Sequence, residues 1–245
     1  MSTPPIGVGG GGGLGLGAVA GTGAADGTKS AVATLPYRHV VVEGPIGVGK
    51  TTLARRLAGS YGAELVLEQP EQNPFLERFY REPRANAFPT QLFFLFQRSR
   101  QLEQLKQQDL FATLRIADFL FDKDRLFARL TLDDAEYSLY QQVYERFATE
   151  SPVPDLVVYL QAPVDVLEAR IARRKAPFEQ GLDRAYLEKV VDAYASFFHH
   201  YDAAPLLIVN AGEADFASSD TDYAQLQQAI AKPRRGRHYF NPFRG

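Results

Sequence analysis

Residues 44–51 read Gly-Pro-Ile-Gly-Val-Gly-Lys-Thr and satisfy the spacing G-x-x-x-x-G-K-[ST] in full. The residue types define a chemistry. Gly44, Gly47 and Gly49 carry no Cβ, so the backbone can take left-handed angles and turn its N–H groups inward around a phosphate. Lys50 adds a mobile cation directed at a transferred phosphate, and Thr51 offers a hydroxyl to Mg²⁺. Behind them Thr52 continues a helix start, whose dipole favours anions.

Such a loop functions only with a strand before it and a helix after it. Both are expected. Val40-Val41-Val42 is a β-branched run suited to a buried parallel strand, and Leu53 and Leu57 would pack the following helix back onto it. A second strand candidate, Ala63-Glu64-Leu65-Val66-Leu67-Glu68, is broken by Gln69-Pro70, which leaves Glu68 at the C-terminal end where open α/β sheets bind ligands. A third, Leu114-Arg115-Ile116-Ala117-Asp118, ends on a carboxylate 67 residues after Thr51, in the place of a Mg²⁺-associated acid.

Strands are further expected at 155–160 and 206–210, and helices at 74–80, 88–107, 122–130, 133–148, 163–173, up to 201, and 222–231. Within 88–107 the segment Leu92-Phe93-Phe94-Leu95-Phe96 is apolar on every side and is expected to be buried all round. The basic run from Arg170 to Lys175 leads into a Pro/Gly-containing loop placed to act as a lid over phosphates. The alternation predicts an α/β fold, a P-loop kinase type with a five-stranded parallel sheet flanked by helices and a lid.

At 245 residues and 45% hydrophobic content, the chain can bury a substantial core, and 36–245 is read as one domain. Residues 1–35 hold 11 of the 20 glycines and are read as a disordered tail, within which a G-x-G-x-x-G match at 7–12 lacks the flanking strand of a dinucleotide site. A net charge of −2 offers no global attraction to nucleic acid or anionic membrane, so an anion site must be local. The basic stretch Pro233-Arg234-Arg235-Gly236-Arg237 is read as a solvated tail. Without cysteine there are neither disulfides nor thiolate chemistry, and a cytoplasmic setting is expected, with no membrane span and no secretion signal.

Together, 43–52, Glu68, Tyr80, Gln91, Arg98, the Asp-Arg pair at 124 and 125, and the lid with Glu179 resemble the deoxynucleoside kinase family over about 37–245. Leu67-Glu68-Gln69-Pro70 and Phe121-Asp122-Lys123-Asp124-Arg125-Leu126-Phe127-Ala128 resemble its bacterial deoxyadenosine/deoxyguanosine kinase branch. The resemblance implies transfer of the γ-phosphate of ATP, with Mg²⁺, to the 5′-hydroxyl of a deoxynucleoside in nucleotide salvage. It assigns catalysis to Glu68 as general base, with Lys50 and Asp118, and Mg²⁺ to Thr51 and Asp118. Tyr80 and Glu179 would hold the 3′-hydroxyl, Gln91 would read the base beside Arg98 and Asp124, and Arg170 and Arg174 would join the loop on the ATP phosphates. A homodimer through long helices is also implied.

Two departures stand out. Animal members carry Glu-Arg-Ser where this chain has Asp118-Phe119-Leu120, so an arginine is missing, and Lys123 is one candidate to replace it. Lys175-Ala176 stands where Gly-Arg is usual, removing a second arginine. Two further readings retain the loop. A nucleoside monophosphate kinase would need extra cations for its acceptor phosphate, which Gln69-Pro70-Glu71-Gln72-Asn73-Pro74 does not supply, while a nucleotide-binding regulatory protein would have lost turnover.

Overall fold

The computed structural model describes residues 34–107, 114–148, 151–179 and 182–243. The glycine-rich tail, apart from residues 34 and 35, and the end of the lid loop at 180–181 lie outside the described residues.

β1 (His39–Glu43) passes through the glycine loop into α1 (Lys50–Tyr61), and β2 (Glu64–Val66), α2 (Leu76–Arg81) and α3 (Pro83–Gln107) follow. Then come β3 (Arg115–Ala117), α4 (Lys123–Thr131), α5 (Asp134–Ala148), β4 (Leu156–Gln161) and α6 (Val164–Arg174). α7 (Arg184–His200), β5 (Leu206–Asn210), α8 (Asp220–Ile230) and β6 (Arg237–Phe240) complete the order. All strands pair in parallel in the order β2-β3-β1-β4-β5-β6, with Val41 opposite Ala117 on one side and Val157 on the other.

The period-2 geometry of a strand sends successive side chains to opposite faces. Val40 and Val42 join Leu53 and Leu57 of α1 and Leu226 and Ile230 of α8 on one face. Val41 joins Leu95 of α3, Tyr140 of α5 and Tyr194 and Phe198 of α7 on the other. With both faces covered, β1 is apolar from Val40 to Val42, as the buried part of a central parallel strand must be. The chain steps outward from β1 to β2, returns to β3 between them, and then crosses to β4 on the far side. A crevice therefore opens beyond the carboxyl ends of β1 and β3.

Four expectations are corrected. The sheet has six strands rather than five, because β6 is a four-residue edge strand that needs hydrogen bonds on one side only and so carries no apolar run. Its approach is solvent-exposed but not a free tail: Arg234 donates to the Ala229 carbonyl, and Arg237 to the carbonyls of Phe198 and His199, capping the ends of α8 and α7. α3 begins at Pro83, not at 88, and carries Pro89 inside it, forgoing one backbone bond. The apolar stretch of α3 is not buried all round in the single chain, since Leu95 is fully buried but Phe96 is 44% exposed with its ring edge against Phe147.

α6 ends on Lys175, whose φ of 52° is the one positive value for a non-glycine among the described residues. Its N–H caps the Ile171 carbonyl in a position where glycine is favoured. A side chain in that conformation costs roughly 1–2 kcal/mol, offset by about 0.5–1 kcal/mol of extra chain entropy lost by glycine. Lys175→Gly is therefore expected to stabilise the fold by about 0.5–1 kcal/mol, read as a higher denaturant midpoint at unchanged slope. A midpoint that stays or falls would disprove the strain.

Candidate active site

Gly47 occupies φ 81°, and a Cβ there would lie 2.9 Å from the Leu167 carbonyl oxygen and 2.7 Å from Ile171 Cγ1. Only glycine lets the loop close against α6 in this way. Lys50 Nζ donates to the carbonyls of Gly44 at 2.8 Å and Pro45 at 3.2 Å. Burial and the nearby Lys123 charge lower its pKa against the pull of Glu43, Glu68 and Asp118. An arriving polyanion would supply the countercharge it lacks.

β2 ends two residues before Glu68, and the amide of Glu68 is held at 2.7 Å by Asp118 Oδ1. The other Asp118 oxygen accepts from the Thr51 hydroxyl at 2.5 Å. Thr51 and Asp118 thus meet across 67 residues of sequence as a pair of hard oxygen donors, a chemistry that fits Mg²⁺. Burial raises the Asp118 pKa, opposed by its bonds to Thr51 and Glu68.

Glu68 is surrounded by cations. Arg98 Nε donates to Oε1 at 2.9 Å, with Nη2 on the same oxygen, and Lys123 Nζ donates to Oε2 at 3.1 Å. Burial alone would raise the Glu68 pKa, but Arg98, Lys123 and Lys50 outweigh it and hold the carboxyl at about 2. Arg98 also reaches buried Asp124 through Nη1, while Phe94 lies beneath its guanidinium at 4.9 Å. Lys123, 2% exposed, stands 3.5 Å from Glu43. Glu43 is itself fixed by Gly44 N–H at 2.8 Å, Leu120 N–H at 2.7 Å and the Tyr194 hydroxyl at 2.9 Å. The sequence signal for Glu43 was available: a carboxylate follows the apolar run Val40-Val41-Val42, immediately before the glycine loop.

One cavity is lined by Lys50, Thr51, Glu68, Tyr80, Gln91, Arg98, Asp118, Lys123, Arg174 and Glu179. Of the expected acceptor-side residues, Asp124 alone does not line it and acts through Arg98. Phe94, Phe127 and Tyr186 add apolar walls, a role the sequence had not assigned to them. Burial, then Tyr186 and Glu179, push the Tyr80 pKa far up, so its hydroxyl stays a hydrogen-bond donor. A neighbouring groove runs along 47–52, Arg170, Arg173 and Arg174 to the loop after β5. Arg170, expected on phosphates, lines this groove and donates to the carbonyls of Val48, Ala211 and Ala214. Arg174 is paired with Glu179.

The family described as deoxynucleoside kinase matches residues 40–233. A deoxyguanosine kinase of Bacillus subtilis (strain 168) is 31% identical over 198 residues, covering 79% of this chain and 95% of that protein. A deoxyadenosine kinase of Lactobacillus acidophilus is 26% identical over 210 residues, covering 80% and 96%. Among solved structures, deoxyadenosine kinase from M. mycoides with bound dATP superimposes with a TM-score of 0.64 at 27% identity, over 72% of this chain and 92% of that one.

Proposed function

The chain belongs to the deoxynucleoside kinase family, and from that premise we propose that it transfers the γ-phosphate of ATP to the 5′-hydroxyl of a purine 2′-deoxynucleoside in nucleotide salvage. One observation carries this reading: Glu68, two residues past β2, and Lys50, at the start of α1, line the same cavity. The acceptor hydroxyl would donate to Glu68 and the donor phosphates would lie on the glycine loop and Lys50. A carboxyl with a pKa of about 2 is a weak base. Phosphoryl transfer through a loose transition state asks mainly for positioning and charge, so Glu68 serves as an oriented acceptor.

Thr51 and Asp118 would hold Mg²⁺, which when bound neutralises phosphate charge. Gln91 offers one donor and one acceptor to a base edge. A deoxyguanosine kinase and a deoxyadenosine kinase among the relatives support a purine. The cations beside Glu68 are consumed by carboxylates, Arg98 by Glu68 and Asp124 and Lys123 by Glu43 and Glu68, which argues against an acceptor that already carries a phosphate. Steady-state kcat/KM for the four deoxynucleosides with ATP and Mg²⁺ tests the function. The purines should lead, and phosphorylation of none would end the reading.

Lys123 takes the part of the missing arginine by tying Glu68 to the rigid Glu43 anchor. Lys123→Met should lower kcat more than it alters nucleoside KM, and Lys123→Arg should restore part of the loss. Removing one of three cations raises the Glu68 pKa, so the acid limb of kcat/KM moves to higher pH in the methionine variant only. Identical profiles for both variants would assign Lys123 a packing role.

We take 36–245 as the kinase domain, acting in the cytoplasm as a homodimer. Phe96 on α3 and Leu139 on α5, 44% and 50% exposed, support association through this helical face. A sedimentation mass of a single chain would refute the dimer.

A further inference from the structure

Among the described residues, the acceptor cavity and the groove along the glycine loop share Gly47, Lys50, Thr51 and Arg174. Two of these are cations at the boundary between the sites. Lys50 is fixed by loop carbonyls, but Arg174 has turned toward the acceptor side. Its Nε donates to Glu179 Oε2 at 3.1 Å and its Nη2 to Oε1, occupying both carboxylate oxygens.

The pair is asymmetric in burial. The Arg174 side chain is 50% exposed, whereas that of Glu179 is 4% exposed. Arg174 can exchange this partner for solvent or a phosphate at little cost, but a nearly buried carboxylate stripped of its donors is strongly disfavoured. Arg174 is therefore released when another donor reaches Glu179. The intervening Lys175-Ala176-Pro177-Phe178 contains no second guanidinium to take over.

We propose that Arg174 is a specificity-determining residue that couples donor-phosphate binding to the 3′-hydroxyl of the nucleoside. The 3′-hydroxyl donates to Glu179 and frees Arg174 to turn into the groove, where it meets the donor phosphates. A nucleoside without that hydroxyl leaves Arg174 on Glu179. This rests on the kinase reading above, with Glu179 on the sugar.

The test is calorimetric binding of β,γ-imido-ATP with Mg²⁺ to the full chain, alone, with a saturating purine 2′-deoxynucleoside, and with its saturating 2′,3′-dideoxy counterpart. The deoxynucleoside should tighten the analogue by about tenfold, within the roughly 5- to 150-fold span of coupled sites, and the dideoxynucleoside should leave it near the nucleoside-free value. Glu179→Gln should bind the analogue tightly without nucleoside, because a neutral amide holds Arg174 weakly. Arg174→Ala should bind it weakly under all three conditions. Equal tightening by both nucleosides, or coupling that survives in Glu179→Gln, would overturn the coupling and leave the kinase reading standing. If neither nucleoside binds at all, the kinase reading itself fails and this inference falls with it.

Discussion

Glu68→Gln is expected to lower kcat by about 10²- to 10⁴-fold, the range for loss of a positioned proton acceptor, while nucleoside and ATP both still bind. Gln preserves the shape of the side chain but removes the charge that Arg98 and Lys123 converge on, and it turns one acceptor oxygen into an NH₂ facing those donors. The folded Glu68 pKa of about 2 lies below its ordinary 4.5. Its ion pairs therefore stabilise the fold fully above the unfolded value, and that contribution is lost as pH falls toward 2. The variant should be less stable than wild type at neutral pH and should lose that difference in acid. Rapid-quench turnover beside equilibrium binding separates the effects: a variant that binds both ligands and turns over at the wild-type rate would remove Glu68 from the chemistry.

Lys50→Ala is expected to reduce kcat/KM by about 10²- to 10³-fold, as for removal of a preorganised donor to developing charge, and to weaken donor-analogue binding. Nucleoside affinity should change little, because Lys50 reaches the loop carbonyls of Gly44 and Pro45 rather than the sugar and base walls. The burial that depresses its pKa is also what makes it effective. A half-buried ammonium beside Lys123 gains more from a phosphate than one already solvated. Donor-analogue affinity equal to wild type would place the phosphates elsewhere.

The parts of this architecture that are legible in the sequence are those specified locally. The valines at 40–42 announce a strand buried on both faces, the glycine spacing at 44–49 announces the turn, and Leu53 and Leu57 announce the helix that closes it. β6 is not legible, because an edge strand of four alternately half-buried and exposed residues is held by pairing to β5 rather than by its composition. The start of α3 misleads for a related reason. Pro89 reads as a helix opener, but Pro83 opens the helix, and packing of α2 and α4 against it outweighs the lost bond.

In the site, the sequence by itself pointed to Glu68 and Asp118 at strand ends and to Gln91 and Arg98 beside an apolar helical segment, whereas Asp124 and Glu179 came from the resemblance to the family. Partnerships were decided only by the tertiary structure. Arg98 joins carboxylates 30 and 26 residues away, Lys123 crosses 55 residues to Glu68, and Arg170 reaches carbonyls 41 and 44 residues beyond it. Glycine torsions and strand periodicity depend on a residue and its neighbours, so they can be read along the chain. The partner of a long flexible cation depends on which strand ends the sheet order brings together, and that order exists only once the chain has folded.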